Sequence, residues 1–379
     1  MKIAINRIST DFKGERCYVH ARGLIMPSGF GIITTQKLEL SGCDVFYGLE
    51  MMKTNDGGES FSEIVPCKNL KRRYAEDGTS VAMCDATPFF HKKTGKIILT
   101  GHTASYGADN ALAPSPYPRE TPYAVYDEEL GDFTEYKFIE MPETPDRKYY
   151  SAGAGCTQVC ECENGDLLIP FYFNDYERAC DPWHSCSSVA VMRCSFDGEE
   201  MKIVDMGNEL TVDVPRGLGE PSIAYIGDEY LLALRNDETG FVSKSSDGLH
   251  FSEPTPLVFD NGENLGNYNT QQHWLVGGDK IYLVYTRRAG TNDHVFRHRA
   301  PLFVAEFDTE RMCVIRESEH IAVPERGARL GNFGCQSYSY ECGFVFASEW
   351  MQGSRGAAGC MEHGSDNSIF ISKITYQKT

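Results

Sequence analysis

The stretch Thr54-Asn55-Asp56-Gly57-Gly58-Glu59-Ser60-Phe61 constrains this chain more than any other. It returns, one residue shorter, as Ser245-Ser246-Asp247-Gly248-Leu249-His250-Phe251, and in degenerate form as Ser195-Phe196-Asp197-Gly198-Glu199-Glu200-Met201. Each copy follows one short apolar run and precedes another. In such a turn the Asp carboxylate accepts from backbone amides, Gly takes the φ > 0 position, and the closing aromatic packs back between strands. A hairpin turn recurring at long spacing over 379 residues points to a repeated β-unit.

The same rhythm of short strand, Gly or Asp turn and short strand runs through residues 23–33, 88–99, 157–169, 222–232, 273–284 and 337–347. A second hairpin follows each, most clearly at 123–138, 188–204 and 302–315. The units start roughly 50 to 70 residues apart, as blades of a repeat architecture do. The expectation is an all-β chain: one six-bladed β-propeller of four-stranded antiparallel blades spanning residues 1–379. The tail at 368–372 has no partner hairpin, and residues 2–5 supply a strand to close the ring. A β-sandwich or two smaller β-domains is the weaker alternative. No convincing amphipathic helix and no Pro/Ser-rich linker interrupts the pattern.

A net charge of −18 argues against a nucleic-acid partner, because phosphate binding needs a basic surface. No apolar run approaches a membrane span, and the N-terminus lacks a secretory pattern. The expectation is therefore a cytoplasmic protein without a membrane partner, and a homo-oligomer is left open. The 14 cysteines are scattered, several in strand-like runs, and read as reduced core residues. Cys156, Cys160, Cys162, Cys180, Cys186 and Cys194 lie closer together but match no paired zinc spacing. No metal and no cofactor are expected.

In a propeller the innermost strands begin around one end of the central channel, so residues at those starts converge. Here they are Arg22, Asp85, Tyr149 or Tyr150, Glu220, Gln272 with His273, and Asn332 with Phe333. A second concentration runs through Arg287, Arg288, Arg297, Arg299, Arg311, Arg316, Arg326 and Arg329, with no Lys among them. Arg suits planar, two-pronged holding of a carboxylate, sulfate or phosphate. Arg311 and Arg316 alternate with acids and read as surface pairs. Arg297 and Arg299, just ahead of the strand at 302–304, read as site residues.

Together these features resemble the sialidase (neuraminidase) superfamily. Its Asp-box turns match Asp56 and Asp247. Arg22, in His20-Ala21-Arg22-Gly23, resembles the first arginine of its carboxylate-binding triad, though without the flanking Tyr and Pro. Asp44 falls where the family carries its acid/base aspartate. Gly219-Glu220-Pro221-Ser222 resembles the motif whose glutamate polarises a nucleophilic tyrosine. Leu234-Arg235-Asn236 resembles the second triad arginine, and Arg299 or Arg297 the third. The tyrosine's own place falls on Phe333, which cannot be a nucleophile; Tyr47, Tyr150 and Tyr268 are the candidates to reach the funnel from elsewhere.

The resemblance implies an exo-glycosidase on a terminal acidic sugar. Arg22, Arg235, Arg299 and Arg297 would hold its carboxylate, with Asp85, Tyr150 and Phe333 lining the pocket. Asp44 would be the acid, Glu220 the base. Two other readings stand beside it. One is a lyase performing β-elimination on a uronate, with His273, His294, His298 or His102 as base. The other is a non-catalytic glycan-binding propeller stacking sugars on Trp183, Trp274 or Trp350.

Overall fold

The computed structural model describes residues 1–40, 44–182 and 184–376. Six antiparallel sheets stand around one axis as a six-bladed β-propeller. The innermost strands are Arg16–Ile25, Ser80–His91, Ser151–Gly153, Gly219–Ile226, His273–Gly277 and Gly334–Ser337, which begin blades 1 to 6 in turn. The last blade is Gly334–Ser337, Cys342–Ser348, Ile369–Thr375 and, at its outer edge, the N-terminal strand Lys2–Ile8. Its outer strand thus comes from the opposite end of the chain. Inner strands of blades 6 and 1 pack together as other neighbours do, so the ring is closed. Only two short helices occur among the described residues, Tyr176–Cys180 and Gly356–Glu362. None is long and apolar enough to cross a membrane.

The middle strands of each blade are buried on both faces, which is why they read as nearly unbroken apolar runs, while outer strands such as Lys2–Ile8 and Met201–Met206 alternate with exposed residues. The core is divided into pads between neighbouring sheets. Ile98 and Tyr123 of blade 2 meet Ala152 and Leu167 of blade 3. Leu168 of blade 3 meets Leu232 of blade 4, and Leu231 of blade 4 meets Trp274 and Leu283 of blade 5. Burying a Leu or Phe in such a pad contributes about 1.5–3 kcal/mol. The described cysteines are unpaired and most are buried.

The aspartate-centred turns join third and fourth strands of blades 1, 3 and 4. Asp56 Oδ1 accepts from Thr54 Oγ1 at 2.7 Å and from the amides of Glu59 and Ser60 at 3.1 and 3.0 Å. Asp247 Oδ1 accepts from the amides of Leu249 and His250 at 2.9 and 2.7 Å. Gly57 and Gly248 both have φ of 75°, a conformation a Cβ disfavours. Phe251 then tucks into the pad between blades 3 and 4.

Three boundaries differ from the sequence expectation. Arg22, Asp85 and Glu220 lie within their inner strands, not ahead of them. Blade 3 has a broken inner strand, Ser151–Gly153 and then Cys160–Glu161. Tyr338 and Tyr340 lie beyond the strand Gly334–Ser337, in the connection to Cys342. There Ser339 Oγ accepts from the amides of Glu341 and Cys342, which turns the chain.

Candidate functional site

Within or beside each inner strand one non-glycine residue lies in the left-handed region. The six are His20, Asp85, Cys156, Glu220, Asn269 and Asn332, with φ between 40° and 60°. In blades 1, 2 and 4 they sit in β-bulges, where pairing jumps from Val19 to Arg22, Cys84 to Thr87 and Gly219 to Ser222. A bulge frees a residue from the ladder and re-aims its side chain. Left-handed backbone costs about 1–3 kcal/mol per residue, and Asn and Asp tolerate it best. Strain repeated in all six blades marks the mouth.

Blades 1 to 3 form one half of that mouth around Asp85. Its Oδ1 accepts from Arg22 Nη2 at 3.1 Å, Cys156 Sγ at 2.9 Å and Asn332 Nδ2 at 3.0 Å. His102 Nε2 lies 3.2 Å from Oδ2. His20 Nδ1 is 3.1 Å from Oδ1 but off the angle a hydrogen bond needs. Burial alone would raise the Asp85 carboxyl, but His20, Arg22 and His102 outweigh it and hold it well below the usual range. Arg22 is fully buried, and its Nε donates to the Phe333 carbonyl at 3.3 Å. Its charge is met from within.

Blades 4 to 6 form the other half around Asn269. Its side-chain oxygen accepts from Arg235 Nη2 at 3.0 Å, Arg297 Nη1 at 3.3 Å and Arg299 Nη2 at 2.9 Å. Arg299 also donates to the Asn269 backbone carbonyl and, at 3.4 Å, to Asn332 Oδ1, which joins the two halves. Arg235 pairs with Glu220 and Asp237. Among the described residues no carboxylate lies in ion-pair distance of Arg297 or Arg299. Burial first, then the charge of Arg235, pulls the Arg299 guanidinium down to about 9. Three cations sharing one neutral oxygen are short of negative charge.

Arg119, on the connection between the second and third strands of blade 2, lies with its guanidinium 4.8 Å from the Tyr172 ring. Its Nε is buried without a hydrogen-bond partner, as are Glu220 Oε2 and Arg22 Nη1. Tyr172 lies within electrostatic reach of Arg119, Glu220, Cys156 and Asp85; burial pushes its hydroxyl up, and Arg119 opposes this. The sequence reading did not single out Arg119, Tyr172 or Asn269. Neither Arg119 nor Tyr172 carries a local signal: Tyr172 sits in an ordinary strand run and Arg119 between a proline and an acid. Asn269 was recoverable as the polar residue shortly before His273.

The structure brings Arg22, Asp85, Glu220, Arg235, Arg297 and Arg299 into one connected network. Asp44 is exposed, with its carbonyl accepting from Tyr106 Oη at 2.8 Å. Arg299 feels the charge of both Asp44 and Glu220. Three expected residues lie elsewhere. His273 is 1% exposed beneath the mouth, with Nδ1 2.7 Å from Ser222 Oγ and Nε2 3.0 Å from the Phe333 carbonyl. Burial, then Arg22, lowers it to about 3, and with both ring nitrogens engaged inside the core it is a structural group. Phe333 is fully buried in the pad between blades 5 and 6, and only its carbonyl serves the mouth. Tyr150 stacks edge-on with Tyr176 under Arg147.

Trp274 is fully buried and donates to the Ser222 carbonyl, so it offers no sugar platform. Trp350 is 3% exposed with Arg329 3.3 Å from its ring. Trp183 lies outside the described residues. Arg287 pairs with Glu319, and Arg326 with Glu349 and Asp366, away from Asn269. Below the mouth, Gln158 of blade 3 donates to the Trp274 carbonyl and accepts from its amide at 2.9 and 2.6 Å. The axis is bridged there.

No family model matches this sequence, and no curated protein matches it. Solved structures do share its fold. A Dyadobacter fermentans protein of unknown function superposes with a TM-score of 0.65 at 13% identity, over 98% of this chain and 99% of its own. The Trypanosoma rangeli sialidase gives 0.65 at 11%, over 98% of this chain and 59% of its own. A variant of the Streptococcus pneumoniae NanB sialidase gives 0.64 at 10%, over 96% and 70%. The chain therefore shares the six-bladed propeller fold of these proteins, and it spans little more than half of the Trypanosoma protein.

Proposed function

We propose that this propeller is a glycoside hydrolase that removes a terminal carboxylate-bearing sugar. One observation carries the reading: Arg235, Arg297 and Arg299 converge on the neutral oxygen of Asn269, with no carboxylate among the described residues pairing with the latter two. A sugar carboxylate at that point supplies the missing charge and fixes the neighbouring ring carbon. Asp44, exposed at the rim and sensed by Arg299, is the acid that protonates the leaving oxygen. Glu220, bound through one oxygen to Arg235 and leaving Oε2 unpartnered, is the carboxylate facing the developing cationic centre. The turns at Asp56 and Asp247 fit the Asp-box reading and serve the scaffold.

The test is a panel of aryl glycosides of acidic and neutral sugars, assayed together with a uronate polymer for unsaturated product. Release of the aryl group from acidic sugars alone supports the reading. Unsaturated product without hydrolysis replaces it with elimination. No turnover, with acidic glycans still retained on the protein, replaces it with simple binding.

A further inference from the structure

One arginine at the mouth belongs to neither network. Among the described residues Arg119 makes no side-chain hydrogen bond and no ion pair, and its Nε is buried without a partner. Its one close neighbour is the Tyr172 ring, 4.8 Å from the guanidinium. Yet its place is built. The Arg119 carbonyl accepts from the Ala152 amide at 2.8 Å, and the Glu120 amide beside it donates to Thr103 Oγ1 at 2.9 Å. The residue is thereby fastened between blades 2 and 3. Its stem runs over Gly153, where a Cβ would come within 2.7 Å of Arg119 Cδ and of His102 Cβ. Glycine makes the room through which this side chain reaches the mouth. Ordering it is a cost of folding, not of ligand binding.

A guanidinium does not shed its charge. Burial opposes that charge, and Tyr172, Tyr117, Glu220 and Asp85 favour it from a distance. Glu220 and Asp85, however, already pair with Arg235 and Arg22. Arg329, 3% exposed and with its own Nε unpartnered, also has no carboxylate in ion-pair distance among the described residues. Arg119, Arg297, Arg299 and Arg329 are thus four cations without an ion pair. Asp44 reaches two of them, Arg299 and Arg329, through space. One sugar carboxylate together with Asp44 leaves half of this charge unanswered. Arg119 also stands across the ring from the arginines around Asn269. It lies between blades 2 and 3, whereas Asn269, Arg297 and Arg299 lie on the connections into and within blade 5.

We propose that Arg119 binds a second oxyanion, so that the substrate is a doubly charged acidic sugar. The ring carries its carboxylate toward Asn269 and a sulfate, phosphate or further carboxylate toward Arg119. The proposal rests on the acidic-sugar reading of the site. Each of these oxyanions offers two oxygens to the guanidinium fork. A neutral hydroxyl would satisfy a hydrogen bond and leave the buried charge unmet.

The first experiment uses inorganic sulfate and needs no sugar. Urea midpoints of the intact protein are followed as sulfate replaces chloride at constant ionic strength. Sulfate strengthens burial in any protein, so the reading is the difference between parent and variants. R119M and R299M should each lose part of the sulfate dependence, and R119M/R299M the sum of both parts. R119M breaks no hydrogen bond and should fold; R119K, which keeps the charge without the fork, should fall between it and the parent. An unchanged dependence in R119M, or no further loss in the double variant than in R299M, overturns the second site.

The second experiment compares aryl glycosides of one acidic sugar with their ring sulfate and phosphate esters, each hydroxyl esterified in turn. At least one ester should exceed the parent sugar in kcat/KM by about tenfold or more, and R119M should bring that ratio close to one. Whether sulfate or phosphate gives the larger gain names the oxyanion. A gain from no ester, or one that survives in R119M, overturns the doubly charged substrate, while turnover of the singly charged sugar keeps the hydrolase reading. Two-part sulfate binding without turnover of any glycoside does the opposite: it removes the hydrolase reading and retains the second anion site.

Discussion

The two halves of the mouth contain the same kind of residue in opposite states. Arg22 in blade 1 is sealed from solvent and held by Asp85, Cys156 and the Phe333 carbonyl. Arg299 in blade 5 is almost as deeply buried, yet its partners are the neutral oxygens of Asn269 and Asn332. One guanidinium is paired with a carboxylate and the other is not, while each keeps one buried nitrogen without a hydrogen-bond partner, Arg22 Nη1 and Arg299 Nε. The difference lies in which residue the left-handed bend presents, Asp85 on one side and Asn269 on the other. Burying an arginine therefore says little about function until its counter-charge is found. The Asp85 half fixes the shape of the mouth, and the Asn269 half creates a demand for an anion.

That contrast can be broken most directly at Arg22. R22M leaves the buried Asp85 carboxylate without its guanidinium and should cost about 3–5 kcal/mol of folding stability, read from urea midpoints. R22M/D85N should recover part of this. If R22M is as stable as the parent and only activity falls, Arg22 belongs to the ligand side instead. R299M should do the reverse. It relieves crowding among cations, so stability should hold or rise, while kcat/KM on an acidic glycoside falls by about 2–5 kcal/mol in transition-state terms. A large stability loss in R299M with activity retained would erase the distinction between the halves.

Protonation sharpens the same comparison. His20 and His273 are both lowered to about 3, by burial in each case, with Arg22 adding to it. A folded value below the ordinary 6.5 means the unfolded chain binds the extra proton. Stability is then complete above about pH 6.5 and falls as pH drops toward 3, by about 1.4 kcal/mol per pH unit for each histidine. The depressed Asp85 acts in the same direction in a lower window, below about pH 4. Urea midpoints measured between pH 7.5 and 5 should show the first slope, and H273Q should flatten it by one histidine's share. A flat profile would mean that these imidazoles are not held neutral. The smallest effect belongs outside the mouth: D247A removes the carboxylate oxygen that accepts from two amides of a surface turn and should cost about 1 kcal/mol, with activity unchanged.

The six bends explain which parts of the site were readable in the sequence. Asp85 and Glu220 stand out because a charged residue interrupts an apolar strand, and Arg235 because it ends one. Phe333 and His273 follow the bends at Asn332 and Asn269, yet their side chains lie in the core, and of the two only the Phe333 carbonyl accepts at the mouth. Sequence position supplies the strand but not the direction in which a bulge aims. Asn269 and Tyr172 look like ordinary polar and strand residues, and acquire meaning only when loops from other blades reach them.

By itself the sequence determined the six-fold β-architecture, because turn chemistry and alternating apolar runs are local and recur with each blade. It also determined that arginines cluster near the later blades. Only the tertiary structure decided which arginines are neutralised, that three share a single amide oxygen, and that Arg119 meets the Tyr172 ring instead of a carboxylate. Those facts depend on left-handed bends and on contacts between segments up to hundreds of residues apart. Charge balance around a buried group is a property of the assembled surroundings, which no local stretch of chain encodes.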